Sequence, residues 1–290
     1  MIQKGPISGA RRNADRLFTG LCYFAASFAV FLLIVLLVKI GTDGYQHVSL
    51  KFLESWPSSY DGHKAGIKSS IIGSAMVMVL TGIIAVPLGI AAAVYLEEFT
   101  RRKNRLTNFI QVNIANLAGV PSIVYGLLGL AVFVRWMQLG TTVVAGALTM
   151  SLLILPMIII VTQESLRAVP NSYREAAYGL GATQWQVIRG QVLPSALPGI
   201  LTGVILSLSR AIGETAPLIV VGAVGFVNFM PRDLHSPYTV LPLQIFNWAN
   251  RPEVSFQEAA AGAIIVLMAT LLVMNSIAIW LRLRAKRRTQ

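Results

Sequence analysis

Six runs of mostly apolar residues, at about 17–40, 67–96, 109–138, 141–163, 196–226 and 258–283, decide what this chain can become. Each is long enough to cross the ~30 Å hydrocarbon core of a bilayer as a helix. Backbone that crosses lipid must satisfy its own N–H and C=O groups. The expectation is an all-α, polytopic membrane protein with six transmembrane helices. Only 12% of the residues are charged and 55% are hydrophobic, against about 25% charged in a soluble domain. The first run follows Arg11, Arg12 and Arg16 as a signal peptide would. Its apolar stretch is too long and lacks an Ala-x-Ala cleavage site, so it is read as a retained anchor.

The net charge of +12 could suggest nucleic acid, but the basic residues gather where apolar runs end and do not interleave with aromatics on one surface. That pattern is membrane topology, so no nucleic-acid partner is expected. With both termini in the cytoplasm, cytoplasmic segments hold 16 Lys and Arg: Lys4, Arg11, Arg12, Arg16; Arg101, Arg102, Lys103, Arg105; Arg167, Arg174, Arg189; and Arg282, Arg284, Lys286, Arg287, Arg288. External segments hold seven, namely Lys39, Lys51, Lys64, Lys68, Arg135, Arg232 and Arg251. The bias puts the loop at about 164–195 in the cytoplasm. Trp56, Tyr60, Tyr238 and Trp248 in the external loops are read as interfacial anchors, with a landing surface for a soluble donor protein as the alternative. Cys22 lies within the first run, so no disulfide framework exists.

The cytoplasmic loop contains a polar, helix-prone island from Pro170 to Pro194. Loops between spans are normally short, so an ordered element here implies something to dock against. Pro170 presets entry to a short helix, Asn171 or Ser172 can cap it, and Glu175 is expected in the first turn, where the dipole favours an anion. Ala176 and Ala177 offer a smooth face for close packing, and Gly179 and Gly181 permit a sharp exit. Trp185, Val187, Ile188 and Val192 pattern a second, amphipathic segment leading to Pro194 and Pro198. A helix lying on the membrane is the plain alternative. Such helices carry Lys/Arg-rich faces and large apolar residues, which Glu175-Ala176-Ala177 lacks.

The fifth run contains Arg210 and Glu214. Either charge at the bilayer centre costs roughly 2.5–3.5 kcal/mol on insertion scales, so intramembrane ionisable residues point to function. The i, i+4 spacing puts both on one helix face, which continues backward through Ser207, Gly203 and Gly199 and forward to Pro217. A stripe of small residues implies close helix packing, with the charges turned toward protein or a water-filled path. A salt bridge that only holds the bundle together is the bland reading. The functional one uses Arg210 as a fixed positive fork for an oxyanion, with Glu214 pairing it when the site is empty or accepting a hydrogen bond from a protonated phosphate. Gly213 and Pro217 would loosen the helix around the pair.

Glu175-Ala176-Ala177, Gly181 and then Leu193-Pro194 twelve residues beyond resemble the coupling-loop signature of ABC importer permeases. Arg210-Ala211-Ile212-Gly213-Glu214-Thr215-Ala216-Pro217 resembles the membrane subunits of phosphate-specific ABC importers, and its Glu-Thr-Ala-Pro ending is similar to their A-type permease. Gly119–Leu127 and Tyr238–Phe246 agree. The resemblance runs from about residue 66 to the C-terminus, which suggests an N-terminal segment, anchor and loop at 1–65 and a MetI-like permease domain at 66–290. It implies a bacterial inner-membrane protein that carries inorganic phosphate. It further implies a related C-type permease, two cytosolic ATPase subunits and an external phosphate-binding protein as partners. Arg210, Glu214, Ser207 and Thr215 would line the substrate path, and Glu175, Ala176, Ala177 and Gly181 would couple to the ATPase.

Two departures from the family pattern stand out. Gln191 occupies a position that is often Ile or Val, with Val192 beside it to compensate. No Arg precedes the loop between Pro156 and Glu164, so a second positive charge would come from the partner permease.

No Gly-x-x-x-x-Gly-Lys-Ser/Thr loop is present, so ATP and Mg would be held by the partner ATPase and this chain is not expected to be an enzyme. Inward anion transport opposes an inside-negative potential by about 2.3 kcal/mol per charge per 100 mV, which calls for that external energy source. A permease for sulfate or molybdate, or the C-type subunit, is the close alternative. A stand-alone channel or secondary transporter is the distant one, but no inverted repeat is visible. His47, His63 and His235 lie in external loops with no metal-ligand or nucleophile spacing between them, so they are read as solvated and no catalytic or metal site is expected.

Overall fold

The computed structural model describes residues 9–100, 105–231 and 233–289. Lys4, Arg101, Arg102, Lys103 and Arg232 of the charge count lie outside the described residues, as do the side chains of Arg11, Arg12, Arg282, Lys286, Arg287 and Arg288. Every element of regular secondary structure among the described residues is helical. Helix α1 (Gly9–Gly44) is followed by a short α2 (Leu50–Glu54), whose N-cap Ser49 accepts from the Phe52 N–H. After a 3₁₀ turn at Gly62–Lys64, α3 (Lys68–Val94) runs into a π-helical turn at Tyr95–Phe99. Then come α4 (Arg105–Ala118), α5 (Ser122–Gly129), α6 (Val143–Arg167), α7 (Asn171–Gly179), α8 (Gln184–Val187), α9 (Leu193–Ile212), α10 (Ala216–Val221), α11 (Leu241–Ala249) and α12 (Val254–Thr289).

Five helices are long and apolar enough to span a bilayer, or six if the bent pair of α4 and the Ser122–Trp136 segment counts as one. The expected number of spans is met, but two of them are not straight. The third run breaks at Gly119-Val120-Pro121, and its halves meet at 104°. Pro121 has no N–H to donate and pushes its predecessor out of the helical region, which ends α4 before it. The fifth run ends at Ile212; Gly213-Glu214-Thr215 interrupt it, and α10 restarts with Pro217 in its first turn. Arg210 therefore sits in the last turn of a helix and Glu214 in a break, not on one continuous face.

The core forms around α6, the most buried span. Because α3 runs parallel to it, Thr81 Oγ donates to Ala147 O at 3.3 Å and Ser151 Oγ to Thr81 O at 3.5 Å across a buried seam. Ala85, Met150, Ile154, Ile158, Ile200 and Val204 fill the space between α3, α6 and α9. The helices approach closely where a side chain is missing: Gly89 faces Ile158, and Gly203 faces Val161. The small-residue stripe on α9 thus packs on α6. In contrast, α1 leans on the bundle chiefly through α12, and its apolar stretch is not buried by the rest of the described residues.

At the end of the bundle opposite α7, Phe52, Ile67, Leu241, Trp248 and Phe256 form a second core. Trp248 and Tyr238, expected as interfacial anchors, are instead fully enclosed, at 1% and 0% exposure. The ladder Val143 N to Ser236 O and Val144 N to Leu234 O folds the 227–240 loop over the start of α6, and this loop carries Tyr238 inward against Gly146. Burial holds the Tyr238 phenol well above its ordinary pKa. Trp56 and Tyr60 remain exposed, as an interfacial role requires.

Gly203→Ala should destabilise the bundle by about 1–3 kcal/mol, because the new methyl group overpacks against Val161. Gly82→Ala meets only Leu208 at 3.9 Å and should be neutral or slightly stabilising. Thermal unfolding of the two variants in detergent, followed by loss of the monodisperse peak, separates the outcomes.

Candidate functional site

The two broken spans face each other. A cavity of about 300 Å³ is lined by the break Gly119-Val120-Pro121 with Ser122 and Tyr125, by Leu153, Ile154 and Met157 of α6, and by Ser207, Arg210 and Glu214. Its α6 residues lie at the middle of that helix, so the cavity sits near mid-depth. Tyr125 Oη donates to Leu117 O at 2.8 Å and closes the first break. Gly126 lies against Pro217 with no room for a Cβ, which locks α5 to α10. Irregular backbone at this depth is thus buried in protein or turned to a polar cavity, as a bilayer demands.

Within the cavity Arg210 Nε stands 3.7 Å from Glu214 Oε1. That distance exceeds hydrogen-bond range, so the pair attracts without consuming the guanidinium's N–H groups. Arg210 is 58% exposed and Glu214 21%, so the arginine head reaches into open space and the carboxylate backs it. Ser207 Oγ is turned onto Gly203 O at 2.9 Å. Of the four residues expected along the path, Arg210, Glu214 and Ser207 line the cavity. Thr215 does not: it forms the N-cap of α10.

At the other functional element, α7 hangs from the end of α3. Arg174 donates to Glu98 through Nη2 at 2.6 Å and Nε at 3.4 Å, and to Leu166 O and Val169 O at 2.9 and 2.8 Å. It therefore also caps the open carbonyls at the end of α6. Gln184 Nε2 donates to Glu98 O at 2.6 Å, and Arg167 Nε pairs with Glu97 at 2.8 Å. The Glu97-Glu98 doublet escaped the sequence reading. Its signal was available: two acids ending a run, beside a loop whose Arg167 and Arg174 lacked partners.

The loop departs from expectation in three details. Pro170 itself occupies the N-cap position and no side chain caps α7. Glu175 falls just beyond the first turn, which holds no acid. Ala176 is exposed, whereas Ala177 is half-buried and packs inward against the core with Ala182. Gly181 adopts φ +82°, which a Cβ would strain, and it makes the sharp exit. Thr183 and Gln186 form a capping box at α8. Val187, Ile188 and Val192 are buried while Gln191 points out, so Val192 fills the core beside it. The outer surface presents Tyr173, Glu175, Ala176, Trp185 and Leu180, the last 91% exposed.

Of the histidines read as solvated, His63 and His235 are exposed, whereas His47 is half-buried. His47 and His63 stack with ring centroids 5.7 Å apart, beside Glu258. Positions 47, 63 and 258 come together only through tertiary packing, so no local spacing could announce them.

The family model described as binding-protein-dependent transport system inner membrane component matches residues 85–289. The chain belongs to that family. It is 36% identical over 266 residues to the phosphate transport system permease protein PstA of Pasteurella multocida, covering 90% of this chain and 92% of that one. To the probable ABC transporter permease protein YqgI of Bacillus subtilis it is 31% identical over 283 residues, covering 93% and 96%. Among solved structures it resembles the inward-facing MetNI methionine ABC transporter, with a TM-score of 0.59, 18% identity and coverage of 76% and 95%. It also resembles a bacterial ABC transporter involved in import of the acidic polysaccharide alginate, with a TM-score of 0.59, 15% identity and coverage of 94% and 98%. These two likenesses establish the MetI-like permease fold.

As a permease of this family, the chain is a multi-pass membrane subunit of an ABC transport system. ATP hydrolysis belongs to a partner subunit, and the family implies a substrate-binding protein and a further permease beside it. The permease fold gives the half-buried Glu98–Arg174 pair a plain test. Glu98→Ala should remove the carboxylate from Arg174, leaving its bonds to Leu166 O and Val169 O, and destabilise the loop by about 1–2 kcal/mol. Limited proteolysis at 171–190 should accelerate in that variant, and far less in Glu175→Ala, whose side chain is exposed.

Proposed function

We propose that this chain is the A-type permease of an ATP-driven importer of inorganic phosphate, forming half of the translocation path. The observation that carries the reading is Arg210 in a mid-depth cavity between two broken spans, with its guanidinium loosely held by Glu214. A planar fork with unsatisfied N–H groups suits a tetrahedral oxyanion. Broken helices around a midplane site are a recurring device for passing ions through a membrane. The relatives named as phosphate transport permeases support the choice of cargo.

In this reading, phosphate released by an external binding protein exchanges for Glu214 on the guanidinium. Glu214 then accepts a hydrogen bond from the protonated phosphate oxygen, a bond that fully ionised sulfate cannot offer. The partner is a C-type permease, which supplies the second positive charge that this chain lacks between Pro156 and Glu164. Two ATPase subunits drive the cycle, one of them on the exposed surface of α7 around Glu175, Ala176 and Leu180. Both termini then lie in the cytoplasm. The rigid coupling of α7 to the ends of α3 and α6 through Glu97, Glu98, Arg167 and Arg174 supports a loop that moves with the bundle.

Arg210→Gln should lower phosphate uptake by at least about 100-fold, equivalent to ~2.7 kcal/mol, with the complex still assembled on size-exclusion chromatography. Wild-type uptake in that variant would make the pair a structural brace. Glu175→Arg should cut uptake about tenfold or more while leaving membrane insertion unchanged. Uptake into vesicles and co-purification of the ATPase read this out, and normal values for both would remove α7 from the coupling role.

A further inference from the structure

Three side chains far apart in the sequence meet at the end of the bundle opposite α7. His47 follows α1, His63 sits in the 3₁₀ turn Gly62–Lys64, and Glu258 lies near the start of α12. A ligand-capable atom from each lies within 4.8 Å of the other two. His47 Nε2 is 3.9 Å from Glu258 Oε2, and the two imidazole planes are tilted by only 20°. The other ring nitrogen of His47, Nδ1, is buried with no hydrogen-bond partner. We propose that His47, His63 and Glu258 bind a divalent transition-metal ion, with Zn²⁺ as the reference case, which staples the end of α1 and the 56–66 loop to α12.

The donor chemistry favours this class of ion. Two imidazole nitrogens and one carboxylate oxygen match zinc, whose ligands stand about 2.0 Å from the metal and so ~3.3 Å from one another in a tetrahedron. Small rotations of side chains already within 4.8 Å of each other reach that spacing. Cu²⁺ and Ni²⁺ suit the same donors, whereas Mg²⁺ and Ca²⁺ prefer oxygen alone. Three protein ligands leave a fourth position for water. Lys51 and Lys64 line the same cavity, but the Lys64 ammonium is drawn 3.7 Å from Asp61. Asp61 also fixes the turn, accepting from the His63 N–H at 3.0 Å.

The backbone around the cluster is held in register, which a preorganised site requires. Gly62 lies against the backbone of Ser255 and Phe256, and Gly44 against that of Ala261 and Gly262, in both cases with no room for a Cβ. The segments bearing His63 and His47 are therefore pressed onto α12 within two turns of Glu258. A stacked pair of imidazoles beside one carboxylate gains little as a solvated salt bridge, because two protonated rings would repel each other. A shared cation resolves the contact by taking one nitrogen from each imidazole together with the carboxylate.

The test uses the full chain, without a polyhistidine tag, purified with its partner subunits in detergent and stripped with EDTA. Zn²⁺ titrated by competition with a chromophoric chelator should bind at one ion per copy of this chain and raise the unfolding midpoint by a few degrees. Both effects should weaken at least about tenfold in affinity in His63→Ala and in Glu258→Gln, and Mg²⁺ should produce neither. Co²⁺ should show the intense visible bands of a four-coordinate site in the wild type alone. His63 is exposed, so its replacement spares the fold and keeps the comparison meaningful even if His47→Ala misfolds. Equal Zn²⁺ binding by wild type and the His63→Ala/Glu258→Gln double variant, or none by the wild type, overturns the proposal.

Discussion

Backbone that leaves the helix inside a membrane must find its hydrogen-bond partners within the protein. Two such departures govern the centre of this permease. The breaks at 119–121 and 213–215 are set by Pro121 and Pro217, and each could exist only beside the other or beside a buried face. They shield each other through Gly126 on Pro217, while α6 closes the floor. The polar cavity is thus a consequence of solving the backbone problem twice in one place. Arg210 and Glu214 then occupy the only kind of mid-depth space in which a charge can keep a wet partner.

The opposite constraint acts at α7. There the chain lies outside the spans and needs no help with its hydrogen bonds, yet it is tied down by several of them. Glu98 receives Arg174 and, through its carbonyl, Gln184, while Arg174 also closes the end of α6. A loop so tied transmits displacement instead of absorbing it, because packed elements respond as units and do not deform continuously. Between α7 and the cavity run α6 and α9, which approach closely where Gly203 leaves room for the Val161 side chain.

Much of this was legible in the residues. Apolar runs set the class and the number of spans, and the island at 170–194 declared an ordered loop by its composition alone. Arg210 and Glu214 stood out because charge is rare in such a run. Run length, however, says nothing of straightness: Gly213 and Pro217 pointed to a loosened fifth run, but the break at Pro121 and the packing of one break against the other appear only in the fold. The same limit hid the place of Thr215, which stands at the N-cap position of α10 and does not line the cavity. Tyr238 and Trp248 were misjudged because aromatics near span ends usually meet the interface, whereas here a folded loop supplies a second core that encloses them. His47, His63 and Glu258 lay beyond any local pattern, since 16 and 195 residues separate them along the chain.

Leu180 and its neighbours Tyr173 and Trp185 bear on how the molecule is made. A leucine 91% exposed at the tip of a tightly held loop is poor design for a protein that lives alone in water. Until something covers it, each newly inserted copy displays a fixed apolar tip in a known place. Where an ATPase subunit seats on α7, as proposed, the covered and uncovered forms of the permease differ at this apolar tip without any change in its own fold.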